Sequence, residues 1–161
     1  MNRYKILIIQ CVIVCLIMSC GTLGGIGDDA ICFPTSKQKL EIAIDSLYFK
    51  YPEYKIPAKR ESYNDLSERG YDFLESRIFH FKSHPEEMYY VTFIGDSVML
   101  SNPNKIELGI RAINYGDDRW FSGNELSDKE KQRVLSRFDK EIIYKLEKYT
   151  KTKSYHESLY K

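Results

Sequence analysis

Past residue 20 the chain has a single cysteine, Cys32; the other three, Cys11, Cys15 and Cys20, crowd the first twenty positions. A disulfide framework is therefore excluded for the body of the protein. Charge of one sign is not in excess either, with 24 Lys+Arg against 23 Asp+Glu. A polyanion binder needs a basic surplus, so no nucleic-acid partner is expected. No apolar run beyond residue 18 is long enough to cross a bilayer. The chain has no G-x-S-x-G elbow and no phosphate-binding P-loop. No catalytic residue, metal ligand or cofactor is assigned, although an enzyme is not excluded. What is present is ordinary for a folded protein: 161 residues, 43% hydrophobic and 29% charged, enough for one compact domain. Tyrosine is the outlier, with 13 copies.

The amino terminus reads as an address. Arg3 and Lys5 precede a 13-residue segment, ILIIQCVIVCLIM (6–18), that is apolar except for Gln10. At 1.5 Å per residue it makes about 20 Å of helix, short of the ~30 Å hydrocarbon core. A basic start and a short apolar run ending in a small residue are the marks of a secretory signal peptide, here residues 1–19. The end of the run, Leu16-Ile17-Met18-Ser19-Cys20-Gly21, resembles the lipobox of bacterial lipoproteins, and the composition is similar to that of small lipoproteins from Bacteroidetes-type bacteria. The resemblance implies diacylglyceryl transfer to the Cys20 sulfur, cleavage after Ser19 and acylation of the new amino terminus. It covers only about 20 residues, and no family is recognised for the mature domain. Gly21 in place of Asp favours the outer membrane, facing the periplasm or the cell surface. Asp28-Asp29 is a distant candidate for a surface-export signal. Removing residues 1–19 takes Arg3 and Lys5, leaving 22 basic and 23 acidic side chains, and Cys32 as the one unmodified thiol.

The mature chain divides into a lipidated Cys and Gly-rich tether (20–32), a single domain (33–149) and a polar tail (150–161). Residues 21–30 contain four glycines and predict a flexible tether with an r.m.s. reach of roughly 17 Å. Their spacing superficially resembles a dinucleotide-binding glycine loop, but no strand precedes them. A helix is predicted over 36–51, capped by Thr35, with Leu40, Ala43, Ile44, Leu47, Tyr48 and Tyr51 on one face. Pro52 ends it and Pro57 keeps the next residues extended. Residues 58–70 are polar. The period then changes to two: strands are predicted at 76–82, 88–94, 97–100 and 106–114, with a short edge strand at 119–121. Gly95-Asp96 reads as a hairpin turn. A second helix, 127–149, starts at Ser127 with Glu130 closing a capping box and carries Val134, Leu135, Phe138, Ile142, Leu146 and Tyr149 as its apolar stripe. The fold class is α+β in two layers, with the N- and C-terminal helices on one face of a four- or five-stranded, mostly antiparallel sheet.

Candidate chemistry is sparse. His80 and His84 are four apart with Glu86 and Glu87 beyond, but they straddle a strand end and a Pro turn, and no third ligand has metal-site spacing. Asp117 and Asp118 sit in a turn, where Asp has a conformational explanation. Cys32 lies in an apolar patch, which suits a small buried hydrophobe. His156 and the lysine-rich stretch 145–161 read as a solvated tail. Tyr90 and Trp120 are the candidate binding residues. If the helices cover the Tyr89, Val91 and Phe93 face, Tyr90 and Thr92 point to the opposite, open face. The expected function is that of a lipid-anchored envelope protein that binds another protein. The alternatives are an immunity-type lipoprotein that neutralises an antibacterial toxin, an envelope hydrolase and a carbohydrate-binding protein.

Overall fold

The computed structural model describes residues 25–27, 29–60, 75–117 and 119–158; the expected leader, Cys20, and most of the polar 58–70 stretch lie outside them. The fold is α+β, as the sequence predicts. Six strands, β1 (Asp29–Phe33), β2 (Ser76–Phe81), β3 (Glu87–Ile94), β4 (Ile106–Asn114), β5 (Phe121–Ser122) and β6 (Tyr155–Ser158), form one antiparallel sheet. The spatial order is β2-β3-β4-β1-β6, and β5 pairs with β4. The helices are α1 (Lys37–Lys50), the single turn α2 (Ser97–Leu100), α3 (Asp128–Phe138) and α4 (Tyr144–Thr150), with a π-helical turn at Asp139–Ile143 joining the last two. No helix among the described residues is long and apolar enough to cross a membrane.

Both ends of the predicted domain extend outward. The segment expected as tether carries β1, and β1 lies inside the sheet between β4 and β6. Its burial is continuous from Ala30 to Phe33, as a strand packed on both faces requires. Ahead of it, Ile26 is 2% exposed and its N–H donates to the Ile110 carbonyl at 2.6 Å. Gly123 permits this docking, because a Cβ there would sit 2.1 Å from the Gly25 carbonyl oxygen. The tether therefore ends before Gly25. At the other end, the expected polar tail contributes β6, an edge strand paired only to β1.

The main core gathers Leu40, Ile44 and Leu47 of α1, Phe138, Ile142 and Leu146 of the C-terminal helices, and Phe79, Tyr89, Val91 and Leu108 of the sheet. Phe138 meets Phe79 edge-on at 5.4 Å between ring centres. A bulge keeps β4 in phase with these sheet residues. Val91 pairs with Ile110 but Tyr90 with Ala112, so Arg111 is the extra residue and inward pointing passes from Ile110 to Ile113. Arg111 Nε donates to the Thr92 hydroxyl at 2.8 Å.

Three local readings change. Ser36, not Thr35, caps α1, accepting from the Lys39 N–H at 3.3 Å. Residues 97–100, expected as a strand, form α2, because Asp96 Oδ1 accepts from the N–H groups of Val98 and Met99. The face opposite the main core, expected to be open at Tyr90 and Thr92, is closed there: Tyr90 is 4% exposed and Thr92 fully buried, with Ile78, Met88, Ile56 and Trp120 packed around Tyr90.

Candidate functional site

The chemistry-bearing residues singled out by sequence do not converge. His80 pairs across the strands with Met88, and Glu87 with Phe81, so His80 and Glu87 face opposite sides of the sheet. His80 is buried, with Nδ1 3.1 Å from the Glu53 carbonyl and Nε2 3.1 Å from Glu86 Oε1. The His80 hydrogen bond holds the Glu86 carboxyl below its usual range, aided by Arg60. His84 is exposed beyond the strand. Asp117 shapes its turn: Oδ1 accepts from the Arg119 N–H, and buried Asn114 donates to the carbonyls of Asp117 and Arg119. Asp118 lies outside the described residues. Tyr90 and Trp120 do come together, edge-on with ring centres 6.0 Å apart, with Tyr90 buried and Trp120 partly buried over it. The indole Nε1 is buried and has no acceptor among the described residues.

Two charge clusters were not legible in the sequence. Glu87, fully buried, accepts from both Arg133 and Arg137 and from the Tyr89 hydroxyl at 2.8 Å. Arg133 also engages Glu130, and Arg137 engages Glu141 at 2.9 Å. This network ties α3 to β3. The second lies on the opposite face, where Cys32 pairs with Glu107 in the neighbouring strand and Glu157 arrives from β6. Their ligand atoms lie within 4.8 Å of one another, the one such group among the described residues. The Lys105 ammonium already sits between the two carboxylates, 2.8 Å from Glu107 and 2.6 Å from Glu157. A metal ion would have to displace it. Burial and the Glu107 carboxylate push the Cys32 thiol up to about 11, so at neutral pH it is a protonated, inert group.

A surface feature without an internal explanation is on α1. Successive helical residues advance by about 100°. Ile42 and Phe49 therefore lie about 180° from the buried Leu40, Ala43, Ile44 and Leu47 stripe, and they are 59% and 90% exposed. The seven-residue spacing of two large apolar side chains was the available signal; a search for one buried face passes over it. Together with Tyr48 and with Tyr149 of α4 they line a groove of about 690 Å³. Tyr48 is fixed by donating to the Ile78 carbonyl at 2.9 Å and packs on Phe79.

Polar groups at the groove are Asp45, Ser46, Lys50 and Lys55. Lys55 Nζ stands 6.0 Å from the Tyr48 ring centre and Lys50 Nζ 5.9 Å from that of Tyr51. Further along, Lys145 lies over Tyr54, and Lys148 lies 4.3 Å from the centre of the Tyr144 ring. Burial and the Glu141 carboxylate push the Tyr54 hydroxyl up to about 12, so it stays a neutral acceptor for the Lys145 ammonium at 3.1 Å. Tyr48, Tyr51 and Tyr149 thus rim the main core half-buried, and Tyr144 is exposed, with lysines set among them. Such a surface holds apolar matter and negative charge at low entropic cost, since tyrosine has few rotors.

The chain matches no protein-family model, and comparison with curated proteins and with solved structures found no significant match.

Proposed function

We propose that this chain is a lipoprotein of the bacterial cell envelope, held through lipid on Cys20 at the outer membrane, and that it works by binding another protein rather than by catalysis. The observation that carries the binding half is the pair of large apolar side chains, Ile42 and Phe49, held in the open beside the groove. An ordered helix that turns one apolar stripe inward has no folding reason to keep a second one in water. The described ionisable clusters support the same reading, since Glu87 is matched by two arginines and Glu107 and Glu157 share the Lys105 ammonium. The anchoring half rests on the lipobox resemblance. Two or three acyl chains, at about 0.8 kcal/mol per buried methylene, hold a protein on a membrane.

Metabolic labelling with palmitate, followed by membrane flotation, tests the anchor. The wild-type chain is expected to carry label and float, and Cys20→Ser to lose both. An unlabelled wild-type chain in the soluble fraction overturns the anchor. For the binding half, in-cell crosslinking from a photoreactive residue at Phe49 is expected to trap a defined protein adduct. Absence of any adduct here and at positions spread over the rest of the surface overturns it.

A further inference from the structure

We propose that the groove between α1 and α4 receives an acidic, amphipathic segment of a partner protein, whose apolar side chains seat on Ile42 and Phe49 and whose carboxylates meet the lysines around them. The inference rests on the protein-binding reading above and names the partner's chemistry. Three observations favour it.

The first is spacing. Ile42 and Phe49 are seven residues apart on one helix, so they stand about 10.5 Å apart along its axis. Apolar anchors two turns apart on an incoming helix have the same separation, as in helix-in-groove recognition.

The second is charge. Lys50 and Lys55 line the groove against one carboxylate, Asp45. Lys148 is the neighbour of the lining Tyr149. Among the described residues none of these three lysines has a carboxylate within ion-pair distance; each instead lies near a tyrosine ring. Lys37, Lys105, Lys131 and Lys153 are paired, while Lys39, Lys82, Lys129 and Lys140 stand, like the groove lysines, without a carboxylate partner among the described residues. What sets Lys50 and Lys55 apart is their place on the groove lining beside a single carboxylate. The positive charge at the groove is thus unneutralised, and a partner bearing carboxylates completes it.

The third is shape. The groove is wide and open, about 690 Å³, with polar Ser46 and Asp45 beside its apolar residues, so a segment with both apolar and polar side chains can lie along it. The aromatic walls are held in place, Tyr48 by its hydrogen bond to Ile78 and Tyr149 by packing on the core. Binding therefore orders little on this side of the interface.

The test uses the full chain in detergent micelles and two synthetic amphipathic peptides with leucine and phenylalanine anchors at i and i+7, one with glutamates and one with lysines at the polar positions. The glutamate peptide is expected to bind, read by fluorescence anisotropy, and to weaken as salt is raised. Phe49→Ala and the double change Lys50→Glu, Lys55→Glu are each expected to weaken it at least about tenfold. The charge-reversed chain is expected to bind the lysine peptide instead, a swap that simple loss of folding cannot produce. These side chains are exposed, and circular dichroism checks that each variant stays folded. Four results overturn the inference. They are equal binding of both peptides, indifference to Phe49→Ala, displacement by phosphatidylglycerol but not phosphatidylcholine in the micelles (a lipid site), and self-association lost in Phe49→Ala (a second copy). A crosslinked partner that maps away from Ile42 and Phe49 also removes this inference while leaving the protein-binding reading intact.

Discussion

At the scale of the residue, the buried carboxylates are held by basic side chains of the fold. Glu87 is the clearest case, with no exposed surface and three donors around it. Replacing Glu87 by Gln puts a neutral amide at the buried centre, while Arg133 keeps Glu130 and Arg137 keeps Glu141. Losing charge-assisted hydrogen bonds at a buried site costs about 1.5–3 kcal/mol, and urea denaturation of the variant is expected to show a loss of that size. A variant as stable as the wild type would mean that Arg133 and Arg137 swing out to solvent at no cost. Cys32 gives a second residue-scale expectation. With the thiol pushed up to about 11 by burial and by Glu107, its thiolate fraction at pH 8 is roughly 200-fold below that of a free cysteine of pKa 8.5. Alkylation of Cys32 by iodoacetamide at pH 8 is therefore expected to be slower in the native protein than in urea by at least that factor, read by peptide mapping. Equal rates would remove the buried thiol from the account.

At the scale of the element, α3 is fixed by what its first turns reach. Glu130 lies in the first turn, beside the Ser127 cap. The hydrogen bonds from the Arg133 guanidinium hold its carboxyl below the usual range, and the Tyr115 hydroxyl adds a further bond. A depressed folded-state value means that the pairing stabilises the fold above the ordinary carboxylate range, near ~4.3, and is lost as pH falls through the depressed value. Stability to urea is expected to drop below about pH 4.5, and Glu130→Gln to flatten that drop while lowering stability at pH 7. An unchanged acid profile in the variant would detach α3 from this explanation. The long C-terminal helix and its cap were legible in the sequence because Val134, Phe138, Ile142 and Leu146 repeat at helical spacing, and all four are buried. The π turn inside it was not, since it lets Ile143 turn inward beside Ile142 without changing the residue pattern. Strand β1 was hidden by its glycine-rich approach, which reads as tether until Ile26 is seen docked on β4. Strand β6, YHES, is an exposed edge and needs no apolar alternation. The groove escaped for a related reason: Ile42 and Phe49 look like ordinary members of an apolar helix until their angle to the buried stripe is worked out.

At the scale of the whole molecule, sheet direction and the anchor proposed above together set which end would face a membrane. Strand β1 runs antiparallel to β4, with Phe33 beside Ile106 and Ile31 beside Leu108. The chain therefore enters the sheet at the Ile110 end of β4, where Ile26 and Gly25 dock, Gly25 against Gly123. The β3–β4 connection, with exposed Val98 on α2, lies at the opposite end, beyond Ile94 and Glu107. On the proposed lipidation at Cys20, only five residue steps separate the lipid from Gly25, a span of at most about 18 Å at ~3.6 Å per residue. The r.m.s. reach of these five steps is about 12 Å, against about 17 Å for ten residues, so with lipid on Cys20 the shorter tether would favour the Gly25 end toward the bilayer and the α2 end outward. A donor fluorophore placed at exposed Asn124, next to Gly123, is expected to transfer energy to acceptor lipids in reconstituted vesicles much more strongly than one at Val98. Palmitate labelling of the same samples confirms that the anchor is present. Equal transfer from the two positions in lipidated protein would mean that the domain has no fixed orientation, and that the docking of Ile26 and Gly25 does not persist on the membrane.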